Sequence, residues 1–403
     1  MRNNYITIII AIAFFLLASS VFYLTRPIPM FWVLQLKHDY FIWLADSFLH
    51  GRVDIQGADE FLGELIPVGG KLFVIYPPMP AVLLLPFVAI WGTNFSQALA
   101  SFIFGGLNVS LFYLLMRRLT QDLKIQIWIT LLFSFGTIHW YLASWGSAWY
   151  FAHVISFLFL TLAIYETFTK QRPFYVGILL GASYLSRLPT ILSLPFFIIM
   201  LSHKWILDSK ELPFLNRLNI KPLIKLCFGL GIFVIINFAY NYVRFGNPFD
   251  VAYSMLNISQ EPWYKALFSL SYIPQHLSVL IFKTPSFVSD PPYLVPSMSG
   301  MSIFLTTPAF LYAFFSGIRN RVALACWLAI IPVAFLIFIK GGTGFTMFGY
   351  RYAMDFYPFL LILTAMGIGD RIRWHHKLLI SLSILVNLWG VICINKFAKF
   401  VWW

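Results

Sequence analysis

The sequence predicts an all-α fold: a polytopic transmembrane bundle of about eleven membrane helices, including one short-helix hairpin, with juxtamembrane helices on its outer side. Three observations predict it. Of 403 residues, 60% are hydrophobic and 11% charged, with a mean hydropathy of +0.79. A soluble domain carries about 25% charged residues, so lipid must cover much of this surface. Apolar runs of about 20 residues, the length that crosses a bilayer core, recur along the chain. The 14 Trp, 20 Tyr and 43 Phe suit membrane interfaces and helix packing.

Taken in order, residues 5–24 form the first span. The segment resembles a signal peptide, but it is long enough to cross and no small-residue cleavage site follows, so a retained helix is expected. Further spans are expected at 97–116, 125–145, 151–169, 224–243, 300–317, 321–339, 354–369 and 377–395. Two stretches break the pattern. Pro77–Trp91 is short and carries Pro77, Pro78, Pro80 and Pro86. A dip into the outer leaflet, rather than a crossing, leaves Arg117 and Arg118 in the cytoplasm, as the positive-inside rule prefers.

The second stretch, 173–201, is interrupted by Ser186-Arg187-Leu188-Pro189. Basic residues flank it on both sides: Lys170 and Arg172 before, then Lys204, Lys210, Arg217, Lys221 and Lys225. Both flanks belong in the cytoplasm, so the segment must enter and return as two short helices with Arg187 near the turn. The outer side then receives two long polar connections, 25–76 with its juxtamembrane helix and 244–299, and the chain 1–403 reads as one transmembrane domain.

The net charge of +13 does not point to nucleic acid, because the basic residues sit in short clusters between apolar runs rather than on one water-exposed face. Cys227, Cys326 and Cys393 lie far apart in apolar segments and form neither a disulfide framework nor a metal-ligand spacing. His139 and His153, near Trp145 and Trp149, read as interface packing, since no third zinc ligand has a fitting spacing.

The first outer connection holds six of the 15 acidic residues: Asp39, Asp46, Asp54, Asp59, Glu60 and Glu64. From His38 to Gly51 its apolar residues recur at helical spacing, as in an amphipathic helix on the membrane surface. Asp39 and Asp46 lie two turns apart on nearly one face. An acidic residue just after the first span, a helix ending Leu49-His50-Gly51, then Tyr76-Pro77-Pro78-Met79-Pro80 opening an apolar run: this order resembles the GT-C superfamily of membrane glycosyltransferases. Within it the pattern is similar to the protein O-mannosyltransferase-like enzymes and the lipid A aminoarabinose transferases. Ser186-Arg187-Leu188-Pro189, Asn241-Tyr242-Val243-Arg244 and Gly349-Tyr350-Arg351-Tyr352 extend the resemblance to about residue 370. Many members carry an Asp-Glu pair where this chain has His38-Asp39.

The resemblance implies transfer of a sugar from a polyprenyl-phosphate donor to a glycan, lipid or protein acceptor on the outer face of the plasma (inner) membrane. Asp39 is then the catalytic base, with Asp46 as its rival. No cofactor is required as far as the sequence shows, and a divalent metal is compatible. Chemistry supplies its own reason for a single carboxylate. A phosphate leaves as an anion and needs no general acid, whereas glycoside hydrolases need a second carboxyl to protonate their leaving alcohol. The phosphate needs cations, and Arg187, Arg351, Arg244 and Lys71 are the candidates.

Each candidate has a plainer reading. Asp39 could cap the juxtamembrane helix, and Asp46 could face water on it. Arg187 could pair with carbonyls at a broken helix, although an ionisable group at that depth points to function. Neither half-helix offers it an acidic partner, so a lipid phosphate is expected as its counter-charge. Arg244, Arg351 and Lys71 could snorkel to headgroups. A secondary transporter accounts for the broken helices as well, but no internal repeat accompanies them. A non-catalytic membrane scaffold or lipid-binding subunit is the third alternative.

Overall fold

The computed structural model describes residues 2–27, 39–57, 65–204, 219–249, 252–255, 264–297, 299–344 and 347–397. His38, Asp59, Glu60, Glu64, Lys210 and Arg217, which figure in the sequence reading, lie outside the described residues. Among the described residues six helices are long and apolar enough to cross a membrane. They are α1 (Arg2–Leu24), α4 (Gln97–Leu119), α7 (Ala148–Phe168), α10 (Lys221–Phe245), α13 (Arg321–Phe338) and α15 (Trp374–Phe397). A bent pair, α5 (Leu123–Phe135) and α6 (His139–Trp145), is together long and apolar enough to make a seventh.

Their ends follow from local chemistry. Ser96 caps α4 by accepting from the Leu99 N–H at 3.3 Å, and Asp122 caps α5 by accepting from Lys124 at 2.7 Å and Ile125 at 3.2 Å. Arg117 and Arg118 close α4, where cations suit the helix dipole.

Three expected spans are interrupted. Residues 125–145 bend by 50° at Gly136–Ile138; the Thr307 hydroxyl donates to the Gly136 carbonyl at 2.9 Å and so satisfies a group freed by the bend. Residues 300–317 become α12 (Ile303–Thr306) and a 3-10 helix, Pro308–Phe315, because Pro308 has no N–H to donate and biases Thr307 away from helical backbone. The late segment begins as a 3-10 turn, Arg351–Asp355, before α14 (Tyr357–Ile368). These breaks, together with the two short helices of 173–201, account for the difference between about eleven membrane helices expected and the six or seven candidate crossings among the described residues.

The stretch 173–201 divides into α8 (Pro173–Tyr184), a 3-10 turn Leu188–Ser193, and α9 (Leu194–Met200). Its two ends meet: His203 Nε2 lies 3.1 Å from Gln171 Oε1. At 12 residues, α8 is about 18 Å long and too short to cross a core of roughly 30 Å. It packs tightly on α10, where a Cβ added at Gly177 would overlap the Leu226 carbonyl and one at Gly229 the Phe174 carbonyl. Met200 O and Ser202 Oγ accept from Arg321 at the start of α13. Arg187 is thereby held at the far tip of the re-entrant segment.

The first long connection forms α2 (Tyr40–Leu49) and an antiparallel hairpin, β1 (Leu65–Val68) with β2 (Lys71–Val74). This hairpin and a second short one, β3 (Ser286–Phe287) with β4 (Leu294–Val295), are departures from the all-α expectation. Gly69 and Gly70 have φ of 56° and 74°, the left-handed pair that a two-residue hairpin turn requires. Beyond it, α3 (Met79–Trp91) is 13 residues long and contains Pro86, too short to cross. Together α2, the hairpin and α3 bury their apolar faces on Phe151, Ala152 and Ile155 of α7. The second connection runs as Leu270–Tyr272, α11 (Ile273–Leu277) and a π turn to Phe282.

Candidate active site

A cavity of about 820 Å³ opens where the turn at Ser186–Pro189, the hairpin strand end, the second long connection and the Arg351–Asp355 turn converge. Arg187, Lys340 and Arg351 line it, and no acidic side chain does among the described residues. Aromatic rings frame the cations. The Tyr352 ring has Arg351 Cζ at 5.2 Å, Lys340 Nζ at 5.4 Å and Arg187 Cζ at 5.6 Å from its centroid. Lys340 Nζ also lies 4.1 Å from the Tyr253 ring and Arg351 Cζ 5.6 Å from Tyr150. Burial alone would raise the Tyr352 phenol, but Lys340, Arg351 and Arg187 pull it down to about 8. The cavity therefore carries a concentrated positive potential.

Each cation is held differently. Arg187 grips Asp355 through Nε, 3.1 Å from Oδ1, and Nη2, 3.0 Å from Oδ2. The Asp355 carboxylate is fully buried and accepts in addition from His153 Nδ1–H at 2.9 Å. The counter-charge for Arg187 is thus Asp355 from the far end of the chain, and His153 sits inside a charged chain rather than packing at an interface.

Lys340 is placed by the second long connection. The Lys340 carbonyl accepts from His276 Nε2–H at 2.9 Å, and His276 Nδ1 accepts from the Tyr350 hydroxyl at 2.6 Å. Gly341 N–H donates to Leu267 and Ser269 N–H to Ile339. Tyr264, Leu267, Phe268 and Gln275 of the same connection line the cavity; Trp263, where that apolar stretch was read to begin, lies outside the described residues. Arg351 Nε is buried and has no hydrogen-bond partner among the described residues.

The remaining sequence candidates lie off the cavity lining. Arg244 is buried, donating to the Val74 and Tyr240 carbonyls and to Asn241 Oδ1. It does not snorkel; it anchors the strand that leads to Ile75 and Tyr76 in the cavity wall. Lys71 is exposed, 3.8 Å from Asp54. Asp46 is partly exposed on α2, 3.7 Å from His50.

Asp39 occupies the N-cap position of α2, yet its side chain makes no capping bond. It is buried at the start of α4, where the Gln97 backbone contributes a hydrogen bond, and Oδ1 has no partner among the described residues. Burial pushes its carboxyl well above the usual carboxylate range, and the Gln97 bond offsets this only in part. Tyr40 and Phe41, which follow it, pack on Tyr76 at ring distances of 6.0 and 5.8 Å, one layer behind the cavity wall.

Lys340 and Asp355 escaped the sequence reading, and His153 was read there as interface packing. Asp355 had a usable signal, an acid at the head of an apolar helix, which is the argument that singled out Arg187. Among the described residues no group of three His, Cys, Asp or Glu side chains comes together as a metal site.

The chain shares its helical membrane fold with solved proteins. It is similar to the crystal structure of ArnT from Cupriavidus metallidurans bound to undecaprenyl phosphate, with a TM-score of 0.54 and 13% identity over 91% of this chain and 62% of that one. At a TM-score of 0.48 it is also similar to the Archaeoglobus fulgidus oligosaccharyltransferase in the apo form, with 14% identity over 97% of this chain and 56% of that one. The oligosaccharyltransferase AglB from Archaeoglobus fulgidus, in complex with an inhibitory peptide and a dolichol-phosphate, gives a TM-score of 0.48 and 12% identity over the same shares. The chain thus spans about three-fifths of the length of these proteins. No protein-family model and no curated protein sequence matches it.

Proposed function

We propose that the protein is a glycosyltransferase that moves a sugar from a polyprenyl-phosphate carrier to an acceptor at the outer face of the membrane. The observation that carries this reading is the cavity itself: among the described residues three lining cations, no lining acid, and aromatic walls suited to a sugar, at the tip of the short-helix hairpin. The solved ArnT structure holds undecaprenyl phosphate in a similar fold. Arg187, Lys340 and Arg351 bind the phosphate. Asp39, one layer behind the Tyr76 wall, is the proposed base for an acceptor that enters past that wall: it removes the hydroxyl proton as the acceptor oxygen bonds to the anomeric carbon from the face opposite the phosphate. The bond from that carbon to the phosphate oxygen breaks with inversion, and the phosphate keeps the electron pair. Arg244 holds the cavity wall rather than the phosphate.

Two experiments test the reading. Purified protein incubated with a radiolabelled polyprenyl-phosphate sugar and membrane extract is expected to label an acceptor. Solute uptake by proteoliposomes without any transfer would instead identify a transporter. For the outer face, Gln56→Cys is expected to react with an impermeant thiol reagent in intact cells, and Gln121→Cys only after permeabilisation. Both positions are exposed, and equal reaction from outside would reverse the topology.

A further inference from the structure

Arg187, Lys340 and Arg351 look equivalent as cavity cations, but Asp355 makes one of them different. Its carboxylate is wholly buried, accepts from both Nε and Nη2 of Arg187, and is steadied from behind by His153. Two of the three guanidinium nitrogens and the positive charge of Arg187 are therefore already engaged. Nη1 makes no bond to Asp355, and 14% of the side chain is exposed. Lys340 and Arg351 have no ion-pair partner among the described residues. With Asp355 counted, the three lining cations leave a net charge of two.

Building on the proposed function, we infer that Asp355, held by His153, is a positioning residue that neutralises and aims Arg187. Lys340 and Arg351 then meet the charge of the phosphate, while Arg187 supplies a directed hydrogen bond. The arrangement has a chemical use. In the donor the phosphate is a diester with one negative charge; when the sugar leaves it becomes a monoester approaching two. A site holding two unopposed positive charges matches the leaving phosphate. A third full charge would bind the freed polyprenyl phosphate more tightly and slow its release.

The test is binding of a fluorescent polyprenyl monophosphate to the full-length protein in detergent, in a double-mutant cycle. Asp355→Asn unmasks the Arg187 charge and is expected to tighten binding roughly tenfold while lowering kcat, because release slows and aim is lost. Arg187→Gln strands the Asp355 carboxylate and is expected to weaken binding roughly tenfold. The double variant, which removes both charges, is expected to bind within about threefold of wild type. A role in folding alone would weaken binding in all three. Weakened or unchanged binding in a folded Asp355→Asn protein would overturn the inference. If that variant does not fold, the double variant decides: loss beyond about tenfold shows that the Arg187 charge does reach the phosphate. Failure of the wild-type protein to bind polyprenyl phosphate at all would instead remove the reading on which the inference rests.

Discussion

Asp39→Asn is expected to lower sugar transfer by more than about 100-fold while leaving donor binding within about twofold. The amide keeps the shape of the carboxyl but cannot accept a proton, so only the chemical step suffers. The environment of Asp39 fits this role better than the cap it resembles in sequence. Its side chain makes no capping bond, and one oxygen is buried without a partner among the described residues. Burial holds the carboxyl above the usual range, so the base is ionised, and the enzyme active, only as pH rises past an elevated pKa. Transfer in the wild type is therefore expected to fall on acidification at a pH above the ordinary carboxylate value of about 4. Folding should not suffer in the variant, because a neutral amide avoids the cost of a buried ionised carboxyl. Measuring kcat and donor KM against pH for both proteins checks this. An active Asp39→Asn protein alongside an inactive Asp46→Asn protein would move the base to Asp46, and activity in both would end the general-base proposal.

Much of the fold was legible because membrane crossing is a demand of length and polarity, which the sequence displays directly. The re-entrant segment could be found from basic loops on both flanks and from Arg187 between two runs too short to cross; the contact of His203 with Gln171 shows the return. What escaped depended on backbone detail. Pro308 and Pro358 shorten helices that composition alone extends, and Val68-Gly69-Gly70-Lys71 encodes a hairpin turn inside a segment read for its carboxylates.

The site was half legible for a different reason. Arg187 and Arg351 stand out as cations at the edges of apolar runs, a local property. Their division of labour is not local. Asp355 lies 168 positions from Arg187, and His153 reaches the same carboxylate from α7. Lys340 enters the cavity because the second long connection hydrogen-bonds to its backbone. Arg244, which the sequence groups with the phosphate ligands, is occupied by the Val74 carbonyl. Pairings of this kind arise only when distant helices pack.

Because Asp355 occupies Arg187, the largest loss of donor affinity is expected at Arg351. Its guanidinium is held by the Tyr150 and Tyr352 side chains, while Nε is buried without a hydrogen-bond partner among the described residues, so one donor is still to satisfy. Such a fork favours a phosphate oxygen over a point contact. Arg351→Met retains the stem that packs on the tyrosines but loses the charge and all its donors. A hydrogen bond to a charged group contributes about 1.5–3 kcal/mol, so donor KM is expected to rise by roughly 10- to 100-fold. Arg351→Lys should fall between, having the charge without the fork. Lys340→Met should raise KM about tenfold and Lys340→Arg much less, because Lys340 acts through charge. Thermal denaturation in detergent separates these effects from misfolding, since no substitution leaves a buried carboxylate unpaired. If Arg351→Met and Lys340→Met both keep wild-type KM in folded protein, the donor phosphate does not bind in this cavity.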